Sequence, residues 1–170
     1  MPMGRRQQGW WAWLVGLVLS LGCMPATGAA ETDVRKLTQQ AMAAKTPEDA
    51  LDFLKQAVDL APDQPVVHLN YASALFKVGQ HEIQSENTER GTATFRDAEQ
   101  ELLTVLRLAK NEPDPVERQQ LKSQAAFLLG DACFYVFKDK VRAKRYYQDA
   151  LWYDPTNRGA LEARKRFSEE

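Results

Sequence analysis

Ala50-Leu-Asp-Phe-Leu-Lys-Gln-Ala-Val-Asp-Leu-Ala-Pro-Asp63 decides the fold. Ala50, Leu54 and Ala57 stand at i, i+4 and i+7, the spacing that lines one face of a helix, and Pro62 stops the run five residues later. The same grammar returns twice. Ala98, Leu102, Val105 and Lys110 form a second copy, and Ala143, Tyr147, Ala150 and Pro155 a third. Small residues in a buried stripe let a neighbouring helix come close, so the chain reads as stacked helices. No stretch alternates apolar and polar residues as a half-buried strand would. Self-similarity of this kind predicts an all-α repeat architecture.

The run 50–63 and its counterpart Ala143 to Pro155 resemble the second helix and closing turn of a tetratricopeptide repeat. That family places a small residue twelve positions before the Ala, on a partner helix. Thr38 lies twelve before Ala50, whereas Gly130 lies thirteen before Ala143, a slip of one residue. Ala72 lies 26 before Ala98, so the middle unit carries about fourteen extra residues. The resemblance covers residues 31–155 and implies a helical hairpin solenoid of about three repeats plus a C-terminal capping helix. Helices are expected near 32–44, 48–60, 65–79, 93–109, 115–137, 139–153 and 157–168. Thr46 before Pro47 and Asp114 before Pro115 are helix-start signals, with Glu117 completing a capping box. Asp63 and Asp154 stand where further caps are needed. The polar insertion near 80–92 either lengthens both helices of its hairpin or forms a loop.

Residues 1–30 read as a leader, ahead of a repeat domain over 31–168. Arg5 and Arg6 precede an apolar run of twelve, Trp10 to Leu21, and small residues follow through Ala30. This is the anatomy of a secretory signal peptide, and the expected location is the periplasm or cell envelope of a bacterium. Leu19-Ser-Leu-Gly-Cys23 resembles a lipoprotein box, which would lipidate Cys23 and tether the chain to a membrane. An uncleaved N-terminal segment would also tether it. In the alternative, Cys23 leaves with the leader. Either way Cys133 keeps no internal disulfide partner, and its place three residues after Gly130 points to a buried thiol.

The sequence holds no P-loop, GxSxG, HExxH or glycine-rich dinucleotide turn, so neither catalysis nor a cofactor is expected. His81, Glu82, Glu86 and Glu89 fit a solvated face better than a metal site, and His68 fits a satisfied interior ring. With 22 basic and 23 acidic residues the chain gives no electrostatic reason to bind nucleic acid. The basic cluster Lys138, Lys140, Arg142, Lys144 and Arg145 reads mainly as the solvated side of the sixth helix.

The family resemblance implies a binding scaffold whose first helices line a concave groove. Transferred by position, the groove residues are Arg35, Gln39 and Met42, then Leu69, Asn70, Ser73, Phe76 and Lys77. Gln124, Phe127, Leu128, Asp131, Phe134 and Tyr135 complete the set. Met and aromatic side chains would favour an apolar or amphipathic segment of a partner protein. A clamp for a terminal carboxylate, known in part of the family, is incomplete: Asn70 matches it, but Gln124 and Leu128 stand at basic positions and Lys36 at an Asn position. The rival readings are an assembly lipoprotein of pilotin type and an envelope enzyme with an unrecognised site.

Overall fold

The computed structural model describes residues 28–168, which form seven α-helices and no strand. They are α1 (Gly28–Ala43), α2 (Pro47–Leu60), α3 (Pro65–Gln84), α4 (Thr88–Leu108), α5 (Pro115–Asp131), α6 (Lys140–Tyr153) and α7 (Arg158–Ser168). A short 3-10 turn, Ala109–Asn111, follows α4, and a π-helical segment, Ala132–Val136, continues α5. Three hairpins, α1–α2, α3–α4 and α5–α6, stack in chain order, and α7 closes the end. Cys23 and the proposed leader through Thr27 lie outside the described residues, while Gly28 to Ala30 form the first turn of α1.

Local chemistry starts several helices where expected. Thr46 caps α2 by accepting the Asp49 N–H at 3.1 Å, with Pro47 in the first turn. Asp114 caps α5, accepting from Val116 N at 2.8 Å and Glu117 N at 3.4 Å. The reciprocal bond comes from another residue: the Asp114 N–H donates to Glu112 Oε1 at 3.2 Å. The cap positions proposed at Asp63 and Asp154 also shift. Gln64 precedes α3, and Asn157 caps the start of α7 by accepting the Ala160 N–H at 3.0 Å. Asp154 instead folds the turn before it, accepting from Thr156 N and Thr156 Oγ1.

The repeated stripes are the seams between helices. Ala57, Ala98, Leu102, Val105, Ala143 and Ala150 have no exposed surface. The largest core joins α3, α4 and α5 through Leu69, Ala72, Leu75, Phe76, Phe95, Leu102, Leu121 and Leu129. Burying a Leu or Phe of this kind contributes about 1.5–3 kcal/mol. Val34, Ala57 and Val67 tie the first hairpin to α3. At the other end Cys133, Ala143, Tyr147 and Ala163 join α5, α6 and α7, with the Cys133 thiol fully buried and unpaired.

The insertion lengthens helices; it is not a loop. Residues 80–84 extend α3 and 88–92 extend α4, leaving only Ser85–Asn87 as the turn, with Glu86 at φ 64°. Two glycines make the long contact fit. A Cβ on Gly91 would lie 2.6 Å from Ile83 Cγ1 and 2.7 Å from the Gly79 carbonyl oxygen. Glu82 then pins the tips together, accepting from Arg90 Nε and Thr94 Oγ1, each at 2.6 Å. His81 reaches back to Glu48 on α2 at 3.2 Å.

The one-residue slip between Gly130 and Ala143 also has a structural origin. In the π segment the Phe137 N–H reaches the Ala132 carbonyl five residues back, at 3.0 Å. Such a turn absorbs one extra residue inside an α-helix. The helix then ends with Lys138 at φ 57° and the Asp139 N–H on the Cys133 carbonyl six residues back, a left-handed stop one residue wider than a Schellman motif.

His68 is a buried clasp between the α2–α3 turn and α4. Its Nδ1 lies 2.6 Å from Glu101 Oε2 and its Nε2 lies 2.9 Å from the Pro62 carbonyl oxygen. A carbonyl only accepts, and so does a carboxylate, which favours the imidazolium donating both bonds. The hydrogen bond to Glu101 is the main cause of a pKa raised above 6.5, opposed by burial and supported by Pro62.

Two outcomes follow from this packing. Gly91→Ala should lower unfolding free energy by about 1–3 kcal/mol in urea titration, because backbone oxygen cannot move aside as a side chain can. Gly28→Ala, with open space around it, should leave the midpoint unchanged. His68 should add stability that is full below pH 6.5 and lost as pH rises through its raised folded-state pKa. His68→Gln should flatten that part of the stability profile, measured by urea midpoints at successive pH values.

Candidate partner-binding face

The first helices of the three hairpins are α1, α3 and α5, and the expected groove residues separate sharply in exposure. Leu69 and Phe76 are corrections: they are 2% and 6% exposed and belong to the main core. The reason is the neighbouring helix. Phe76 meets Phe95 of α4 edge-on with ring centroids 4.9 Å apart, so α3 turns that position inward. Leu128 is likewise buried against the core. Phe127 and Phe134 are half-buried and serve packing: Phe127 lies against Tyr147 and under Gly159, and Phe134 packs edge-on to Phe167 of α7.

A polar set stays outside. Gln39, Met42 and Lys77 are exposed, and Asn70 and Gln124 are half-buried. None of Gln39, Asn70, Lys77 or Gln124 has a side-chain hydrogen bond or ion pair among the described residues. Arg35 is exposed but pairs with Glu31 one turn away at 3.5 Å. The Ser73 hydroxyl is spent on the Leu69 carbonyl at 2.8 Å. The surviving face therefore offers amides and an ammonium group, with Met42 as its exposed apolar side chain.

Asp131 and Tyr135 belong to a separate cluster at the π segment. The Tyr147 hydroxyl donates to Asp131 Oδ1 at 2.7 Å. Burial pushes the Asp131 carboxyl up to about 6, against the lowering effects of the Tyr147 bond and of Arg166. The same burial, with the Asp131 charge beside it, pushes the Tyr147 phenol up. Arg166 of α7 lies over the rings of Phe134 and Tyr135 and donates to the Tyr135 hydroxyl. This cluster clasps α7 to the end of α5. Its function in the fold is anchoring, and among the described residues no group of three or more His, Cys, Asp or Glu is placed to hold a metal ion.

Residues 41–82, from the end of α1 through α2 and most of α3, match the family described as tetratricopeptide repeat. These residues carry a tetratricopeptide repeat. No curated protein and no solved structure matches the chain. Tetratricopeptide repeats in general mediate protein–protein interaction, and the unengaged polar groups stand on α1, α3 and α5, the first helices of the three hairpins.

Sequence reasoning passed over Trp152, which is 83% exposed on α6. The signal was available: Trp152 lies nine residues after Ala143, and nine steps of 100° place it on the opposite side of the helix from the buried stripe. It also passed over the Asp131–Tyr147 pair, whose partners lie sixteen residues apart on separate helices.

The cluster makes a signed prediction. Because the Asp131 pKa is raised from 3.8 to about 6 in the fold, stability falls as pH rises through that window and stays lower above it. Asp131→Asn keeps an acceptor for the Tyr147 hydroxyl and removes the buried charge. It should gain about 1–3 kcal/mol at neutral pH and nothing at pH values well below the window, read from urea midpoints under both conditions.

Proposed function

We propose that this repeat protein is a non-catalytic scaffold of the bacterial cell envelope, holding a segment of a partner protein against the inner side of its array. The observation that carries the reading is Asn70. Its half-buried amide offers a donor and an acceptor on a first helix, with no partner among the described residues. An Asn so placed can bond both the N–H and the C=O of an extended backbone. Lys77, seven residues along the same helix, adds a positive charge, and Gln124 of α5 adds a second amide. Since Phe76, Phe127 and Phe134 pack inside, the partner segment is amphipathic with a strong polar component, and not mainly apolar.

Location in the envelope rests on the sequence grammar of Arg5, Arg6 and the Trp10 to Leu21 run. Crosslinking pull-down from intact envelopes tests both parts. Asn70→Ala, Lys77→Ala and Gln124→Ala combined should remove one partner protein, with helical content unchanged by circular dichroism. Loss of three polar groups at about 0.5–1.5 kcal/mol each predicts at least tenfold weaker capture. Identical catches from wild type and variant would sink the inner-face reading, and recovery of the chain only from the cytosolic fraction would sink the location.

A further inference from the structure

We propose that the outer ridge of α6 docks on an anionic membrane surface. Val141, Arg145, Gln148 and Trp152 stand at i, i+4, i+7 and i+11, which puts them on one ridge. Val141 is 82% exposed and Trp152 is 83% exposed. These are the most exposed large apolar side chains among the described residues, and they bracket about 16 Å of one helix. Trp152 makes no ring contact among the described residues, whereas its neighbour Tyr153 is held under the Lys122 ammonium at 5.5 Å.

The charges around the ridge complement phosphate headgroups. Lys144 and Arg145 are exposed and have no ion-pair partner among the described residues. Arg142 differs: it turns inward to Asp139 at 2.8 Å and Glu99 at 3.0 Å, so the basic cluster divides into a structural part and a free part. The asymmetry extends along the chain. Residues 138–168 hold nine basic and four acidic residues, while residues 31–137 hold eleven basic and seventeen acidic. The positive excess therefore lies on α6 and α7, the part of the chain that an anionic surface would attract.

Trp selects the membrane over a merely acidic partner. An indole is amphipathic and settles at headgroup depth, and flanking Lys and Arg stems reach outward to phosphates while their methylenes stay on apolar surface. The ridge carries no acid; Asp149, half-buried on its flank, is the one acidic residue of α6. Because α6 is a second helix of its hairpin, docking through this ridge leaves α1, α3 and α5 open to a protein partner.

The test reads Trp152 itself. In the full-length chain, Trp10, Trp11 and Trp13 are replaced by Phe, leaving Trp152 as the only emitter. The chain is mixed with vesicles of phosphatidylglycerol and phosphatidylcholine, and separately with vesicles of phosphatidylcholine alone. The apolar N-terminal run can bring the chain to both, so the decision rests on emission, not on co-sedimentation. The expected result is a blue shift and protection from an aqueous quencher on the anionic vesicles only, reversed by high salt. Lys144→Gln with Arg145→Gln should raise the lipid concentration at half-shift roughly 30-fold, at about fivefold per charge. Unchanged emission while the chain co-sediments would overturn the proposal, as would equal shifts on both vesicle types. A shift with soluble polyglutamate but not with vesicles would assign the ridge to an acidic protein instead. A shift that depends only on protein concentration would assign it to a second copy of the chain.

Discussion

Close approach of helices at small residues is the constraint on which the rest of this structure depends. Ala57, Ala98, Ala143 and Ala150 are sealed because a partner helix lies directly on them, and larger side chains there would force the hairpins apart. The constraint is strictest in the middle hairpin, where Gly79 and Gly91 bring α3 and α4 nearly to backbone contact. That contact lets the hairpin run well past the ordinary repeat length without a loop. Gly130 under the Tyr147 ring solves the same problem in the third hairpin, since a Cβ there would lie 2.6 Å from Tyr147 Cε1. Which faces remain free for binding follows from these seams.

The seams were legible because they combine spacing with residue size, and both can be read along one chain. The same holds for Thr46 and Asp114, whose caps depend only on residues within three positions. What could not be read was the rotation of α3 about its axis. Phe76 and Leu69 occupy positions that line the groove in the family, yet the long contact with α4 and the Phe95 ring turn them inward. The orientation is a property of two helices whose contacting rings, Phe76 and Phe95, lie nineteen residues apart in the chain, and no local pattern encodes it. The caps at Asn157 and Glu112 were missed for a smaller reason: several polar residues crowd each turn, and backbone geometry selects among them.

The π segment shows how a single extra residue propagates. The thirteen-residue interval between Gly130 and Ala143 would misalign a regular hairpin by about 100° if the helix stayed α throughout. The wider turn at Ala132–Val136 absorbs the residue and brings Cys133 against Ala143 and Tyr147. Asp131 sits at the entry to that turn, where it is half-buried and bonded by the Tyr147 hydroxyl. Arg166 then closes α7 over Phe134 and Tyr135. Local irregularity of the backbone, a buried carboxyl and the anchoring of the terminal helix are thus one arrangement.

The division of faces bears on the kind of binding this array supports. With its large aromatic side chains packed between helices, the inner side keeps hydrogen-bonding groups and one exposed Met, so it lacks the buried apolar anchors that dominate tight interfaces. A net hydrogen bond contributes only about 0.5–1.5 kcal/mol. Affinity from a few of them is modest and dissociation is fast, which suits a scaffold that holds a segment transiently and releases it. Concentrating the chain at a surface compensates for modest affinity without adding any contact, because confinement raises the effective concentration of the two partners. The outer ridge proposed to meet a membrane and the inner face proposed to hold a partner segment would therefore be complementary solutions to one physical problem.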